Sequence, residues 1–349
     1  MPQTDELMAG MRILELGQGI AGSVLGKLLR EHGADVTKVP LGNRSAPGVE
    51  LETAFEIWDL GKTVELLVDP AKLADLVVAA DVIIDQSWCR GRNTEGLTEA
   101  LRQRNDAAIL CTIESGLPFS VEDLSAWDLE GLVSARAGMY ESLGQVNGQI
   151  VETVAYVDIP VASICTAIQA MVACSAAILR KATVSGRCDL RLSLSTAPVY
   201  AKGIQFIQTD YGDGIIPDPS MGLSGLYQGG DGRWMILSVP SHRLAGRLLK
   251  TLHRAEWMVD GLDPLDKLMA SLTPEEVATT RARMQEIFSG QPAEYWESLI
   301  SEAGVPCVVC RSASEWLDTK QALDIGILRD VELRNNVRAR AVGPVVSVT

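Results

Sequence analysis

Apolar positions near the start of the chain follow two periods in turn. From Arg12 to Leu16 they run almost unbroken, as in a strand buried on both faces. The chain then passes through Gly17-Gln18-Gly19-Ile20-Ala21-Gly22. From Val24 to His32 the spacing becomes helical, with Val24, Leu25, Leu28 and Leu29 on one face. Gly33 suits a helix stop, and Ala34 to Val39 reads as a second strand. Strand, turn, helix and strand in this order form a parallel βαβ unit. The alternation continues, with strands expected at Thr63–Val68, Asp81–Asp85 and Ala108–Ile113 and helices at Pro70–Ala80 and Gly96–Asn105. Further helices are expected at Leu129–Tyr140 and Ser163–Lys181, and a strand at Leu190–Leu194. This is the pattern of an α/β fold with a parallel sheet.

Beyond residue 200 the pattern changes. Residues 201–225 are rich in Gly, Asp and Pro and read as a linker. Leu226 to Val239 places Gly-Gly-Asp-Gly between two apolar runs, a hairpin signal, and helices then dominate to about Ala303.

Composition narrows the function. A hydrophobic fraction of 47% over 349 residues supports a substantial core. Forty-five acidic against 31 basic residues give a net charge of -14, which argues against a nucleic-acid partner but leaves room for a small anionic ligand in a local cationic pocket. The longest apolar stretch, Ile159 to Leu179, is interrupted by Ser163, Thr166, Gln169 and Ser175, so it reads as a buried helix rather than a membrane span. The opening MPQTDELMAG lacks a signal-peptide pattern. Seven scattered cysteines point to reduced thiols in the cytoplasm. Cys307 and Cys310 form a lone CxxC with no second pair and only three histidines in the chain, so no metal site is expected.

Gly17-x-Gly19-x-x-Gly22 has the spacing of a dinucleotide-binding turn. A nicotinamide dinucleotide also needs an Asp or Glu at the end of the second strand, to hold the ribose hydroxyls, and this chain has Pro40 there. NAD is therefore not expected. A tight glycine turn that lets a ligand approach N–H groups at a helix start remains.

The segment LGQGIAGSVLGKLLREHGADVTKV resembles the opening of the family III CoA-transferases, with Ala21-Gly22 and Gly33-Ala34-Asp35-Val36-Thr37-Lys38-Val39 in register and Ser23 and Pro40 departing from the pattern. Ala80 to Asp85, Ser115-Gly116, Ser185-Gly186-Arg187, the segment Tyr227 to Trp234 and Ala303-Gly304-Val305-Pro306-Cys307 resemble further blocks of that family in the same order. The resemblance implies a Rossmann-like, coenzyme A-binding large domain over 1–200 and a smaller α/β domain over 226–305. It also implies a C-terminal segment, 306–349, that returns to the large domain. Ring-shaped chains would interlock as a homodimer, or as a heterodimer with a sister subunit. Coenzyme A would lie along the first turn, against Gln18, Gly19, Ile20 and Ala21. Arg44, Lys62 and Arg90 would be its phosphate partners, with a solvated surface base as the alternative for each.

The resemblance further implies a reaction between an acyl-CoA and a carboxylic acid, carried by an aspartate that forms an anhydride and then a thioester. The family places that aspartate at the start of the long buried helix. Here the segment reads Ile159-Pro160-Val161-Ala162-Ser163, so the register position is Ser163 and the nearest carboxylate is Asp158. Ser163 could equally be a helix N-cap, and Asp158 a turn residue before Pro160. A second family carboxylate falls on Glu130 or, shifted by two, on Asp128, with no histidine beside either. That absence weakens a racemase reading, which needs an acid/base pair. The expected function is CoA transfer. The alternatives are a non-catalytic or partner-dependent subunit and other acyl-CoA chemistry such as hydrolysis or isomerisation.

Overall fold

The first apolar runs become the centre of a parallel sheet. A computed structural model of the chain describes residues 7–41, 49–66, 68–87, 95–119, 121, 124–140, 159–201, 223–257, 274–333 and 336–343, with short pieces at 145–146, 149–150, 203, 208–209 and 212–213. These residues fall into two compact units, one of 1–140, 156–213 and 321–349, the other of 141–155 and 214–320.

In the first unit β1 (Arg12–Gly17), β2 (Asp35–Val39), β3 (Thr63–Val64), β4 (Val82–Gln86), β5 (Ile109–Glu114) and β6 (Cys188–Ser193) form one six-stranded sheet in the order β3-β2-β1-β4-β5-β6. Every pair in it is parallel. The α/β class read from the sequence holds. Strand β3 is shorter than the expected Thr63–Val68, because β2 ends at Val39 and Pro40 has no N–H to extend the ladder. The order reverses between β1 and β4. In open parallel sheets such a reversal leaves the ligand crevice at the carboxyl ends of those two strands. Helix α1 (Ile20–Glu31) follows β1 directly. Between the other strands lie α2 (Val49–Trp58), α3 (Pro70–Ala79), α4 (Glu95–Arg104), α5 (Ala126–Arg136) and α6 (Val161–Lys181).

The core is small-sided where helices meet. Ala162, Ala167, Ala170, Cys174 and Ala177 of α6 pack with Ala21, Leu25 and Leu29 of α1 and with Ile109, Cys111 and Ile113 of β5. By length and composition α6 could cross a membrane, yet this face sits in the core.

Four charges are buried under α1. Lys38 donates to Asp59 Oδ1 at 2.8 Å and to Ser23 Oγ at 2.7 Å, and pairs with Glu15 Oε1 at 3.1 Å. Lys62 donates to Glu15 Oε2 at 2.7 Å, to the Ser23 carbonyl at 2.9 Å and to Asp59 Oδ1 at 3.1 Å. Two ammonium groups thus face two carboxylates with no net charge. Burial opposes the Lys38 charge, but Glu15 and Asp59 outweigh it and hold its pKa above the ordinary lysine value. Its contribution to stability is therefore complete below that ordinary value and is lost as pH rises through the raised one.

The second unit has an antiparallel sheet of β7 (Gly225–Gln228), β8 (Trp234–Leu237) and β9 (Cys307–Val309). The first two form the hairpin expected between Leu226 and Val239, closed by a turn in which Gly232 has φ +80. Helices α7 (His242–Thr251), α8 (Pro274–Phe288) and α9 (Ala293–Glu302) supply its core, where Phe288 stacks edge-on between Tyr227 and Trp296. Of the CxxC pair, Cys310 is exposed and Cys307 faces this core. Burial, then the charge of Glu297, pushes the Cys307 thiol up to about 12, so it stays protonated at neutral pH. In the first unit, β10 (Leu328–Leu333) and β11 (Val337–Val342) form a separate antiparallel pair.

Removing Lys62 should strand the charges of Glu15 and Asp59. Lys62→Met is expected to cost about 3–5 kcal/mol in urea denaturation. A loss below about 1 kcal/mol would show that the buried quartet does not form.

Candidate functional site

The start of α6 is the position where a helix must find partners for its first N–H groups. Its N-cap position is Pro160, which offers no side-chain acceptor. The Val161 N–H reaches the Ile159 carbonyl at 2.7 Å, and the Ile164 N–H reaches the Pro160 carbonyl at 2.9 Å. The two between them are met from another helix. Ala162 N donates to Glu130 Oε1 at 2.7 Å, and Ser163 N to Glu130 Oε2 at 3.0 Å.

Glu130 is placed there by α5. That helix begins with a capping box, in which Ser125 Oγ accepts from Asp128 N at 3.1 Å and Asp128 Oδ2 accepts from Ser125 N at 3.2 Å. One further turn brings Glu130 and Ser134 onto the same buried face. Ser134 Oγ donates to Glu130 Oε1 at 3.1 Å, and Ser163 Oγ donates to Oε2 at 2.6 Å. Each carboxylate oxygen of Glu130 therefore accepts two hydrogen bonds, which fills its ordinary acceptor capacity. Glu130 is 4% exposed and Ser163 3%. Nearby, burial and then the Glu130 charge push the Cys165 thiol up.

The residues expected from the sequence separate accordingly. Glu130 and Ser163 come together. Ser163 is not the N-cap; it is the third residue of α6, and its hydroxyl binds the carboxylate that caps the helix. Asp128 is exposed and engaged in the cap of its own helix. Asp158, Arg44 and Arg90 lie outside the described residues. Lys62, expected as a phosphate partner, turns inward, where its ammonium donates to Glu15, Asp59 and the Ser23 carbonyl.

At the first turn Gly19, Ile20 and Ala21 are buried and Gln18 is half-buried, so of the four expected contacts Gln18 alone presents a side chain outward. The sequence reading missed Gln86 and Ser134. Gln86 ends β4 beside this turn, buried, and its Oε1 accepts from Gly22 N at 2.7 Å. An amide closing the strand Val82-Ile83-Ile84-Asp85, adjacent to a glycine turn, was the available signal. For Ser134 the signal was a hydroxyl four residues after an acid in one helix.

Removing the Glu130 side chain leaves two buried N–H groups and two hydroxyls without their acceptor. Glu130→Ala should lower unfolding stability by about 2–4 kcal/mol, and Ser163→Ala by about 1 kcal/mol, in the same denaturation assay. Equal, negligible losses would mean that the carboxylate does not hold the helix start.

Residues 8–349 match the family model described as CoA-transferase family III. A succinate–glutarate CoA-transferase from Agrobacterium fabrum (strain C58 / ATCC 33970) is 30% identical over 200 residues, which is 51% of this chain and 48% of that protein. The chain thus spans about half the length of the curated relative it matches. Among solved structures, the orthorhombic form of Rv3272 from M. tuberculosis aligns with a TM-score of 0.74 at 17% identity, covering 98% of this chain and 92% of the other. A CAIB/BAIF family protein from Brucella suis aligns with a TM-score of 0.67 at 18% identity, covering 95% and 92%. These structures share the fold, and the match of the family model over nearly the whole length makes the chain a member of CoA-transferase family III.

Proposed function

We propose that this protein moves coenzyme A between carboxylic acids through an intermediate on its own carboxylate, and that Asp158 supplies that carboxylate. The observation that carries the choice of residue is the closed arrangement at the start of α6. Ser163 is buried and directs its hydroxyl to Glu130, and Glu130 has no acceptor site left for a substrate. The first turn of α6 contains no acid of its own. Asp158, two residues before Pro160, is then the nearest carboxylate in the sequence.

The chemistry divides one exchange into easier steps. The carboxylate attacks the thioester carbonyl of the donor acyl-CoA and expels the CoA thiolate, leaving a mixed anhydride. The thiolate then attacks the enzyme's carbonyl in that anhydride, which releases the donor acid and leaves an aspartyl-CoA thioester. The acceptor carboxylate takes the same path in reverse. A water-poor site protects the anhydride while the thiolate is held close. The reduced thiols and acidic charge of the chain suit the cytoplasm.

A second reading rests on the register that the resemblance implies, which puts Ser163 at the family's aspartate position, and on its hydroxyl being tied to Glu130. On that reading the chain is a partner-dependent subunit whose sister chain provides the aspartate. Either reading implies a dimer, and α6 presents Ile168, Val172 and Leu179 to solvent at 53%, 66% and 73% exposure, a stripe suited to burial against another chain.

Incubation with a panel of acyl-CoA thioesters, beginning with succinyl-CoA and glutaryl-CoA, followed by hydroxylamine and mass spectrometry, should place the label on Asp158. Asp158→Asn should abolish label and turnover while CoA binding persists, because a neutral amide cannot attack. Label on Ser163 would replace the transferase reading with acyl-enzyme chemistry. Tight CoA binding without label would favour the partner-dependent subunit. Light scattering at micromolar concentration should give the mass of a dimer, and a stable monomer would contradict the interlocked arrangement.

A further inference from the structure

The dinucleotide-like spacing of the first turn has no part in the function proposed above. One neighbour explains all three of its glycines. Gly17, at φ +109, lies directly opposite Gln86 in the β1–β4 pairing, and a Cβ there would run into the Gln86 backbone carbonyl. A Cβ on Gly19 would overlap the Gln86 carboxamide itself, and one on Gly22 would sit 3.0 Å from its Oε1. Gln86 is 1% exposed, and the 2.7 Å bond from Gly22 N identifies which end of the amide is oxygen. Its Nε2 has no hydrogen-bond partner among the described residues, and neither do the N–H groups of Ile20 and Ala21.

A helix N-terminus of this kind attracts anions, and in dinucleotide-binding turns the glycines let a diphosphate reach it. Here the glycines make room for a side chain instead. We propose that Gln86 is a specificity residue: its carboxamide occupies the place at the start of α1 that a diphosphate takes in dinucleotide-binding proteins, and so excludes one from this chain. A neutral amide suits that role. Its carbonyl end meets the partial positive charge of the helix start, and no ion has to be desolvated to fill the crevice. The consequence for a CoA-binding chain is that the coenzyme's diphosphate lies away from the α1 N-terminus.

The test reads the turn itself, because ADP can also bind wherever the coenzyme's phosphates sit. Hydrogen–deuterium exchange over Gly17–Ser23 would be followed while inorganic pyrophosphate or ADP is titrated into the wild-type chain, Gln86→Ala and Gln86→Asn. In the wild type neither probe should protect the turn. In Gln86→Ala both should protect it, at concentrations roughly tenfold or more below any wild-type effect, with Gln86→Asn between the two. Protection of this segment in the wild type would overturn the proposal, and so would a folded Gln86→Ala chain that responds as the wild type does. Should Gln86→Ala fail to fold, the wild-type titration and Gln86→Asn decide. CoA binding by the wild type, measured separately by calorimetry, tests the transferase reading and leaves this inference untouched.

Discussion

A carboxylate withdrawn from water needs a donor for each of its lone pairs, and Glu130 satisfies that need by joining two helices. Its oxygens take the Ala162 and Ser163 N–H groups, which α6 could not satisfy behind a proline, and two hydroxyls complete the shell. The arrangement fixes the register of α5 against α6. At the start of α6 the polar atoms of Glu130, Ser134 and Ser163 are engaged with one another.

The same physical demand recurs under α1. Glu15, Lys38, Asp59 and Lys62 are buried together and survive only as a closed set, since any one of them alone would be an unpaired charge in a low-dielectric interior. Ser23 bridges this set through both its hydroxyl and its carbonyl. Gln86 completes the picture at the carboxyl end of β4, where an amide rather than a charge fills the crevice at the switch point.

Much of the sheet was legible because its signals are local. The apolar clusters of β1, β4 and β5 and the helical spacing of α1 each depend on neighbours within a few residues. The site was less legible because its partners are distant in sequence. Lys62 looks like a surface base until Glu15 and Asp59 are folded around it. Glycines at 17, 19 and 22 announce a close approach without saying what approaches, and only the pairing of β1 with β4 shows that it is Gln86. Glu130 could be located by counting along the helix, but its role depends on α6, thirty-odd residues away in sequence. The sequence leaves Ser163 open between the register position of a nucleophile and a helix cap, whereas the cap comes from another helix.

A crystal structure of the chain soaked with coenzyme A would test the central claim most directly. The distances from the CoA sulfur to the side chains of Asp158, Ser163 and Glu130 would be read from it. The expected result has the sulfur within reach of Asp158 while Glu130 still accepts from Ala162 N and Ser163 N. A Glu130 or Ser163 side chain released from that contact and turned onto the sulfur would contradict it.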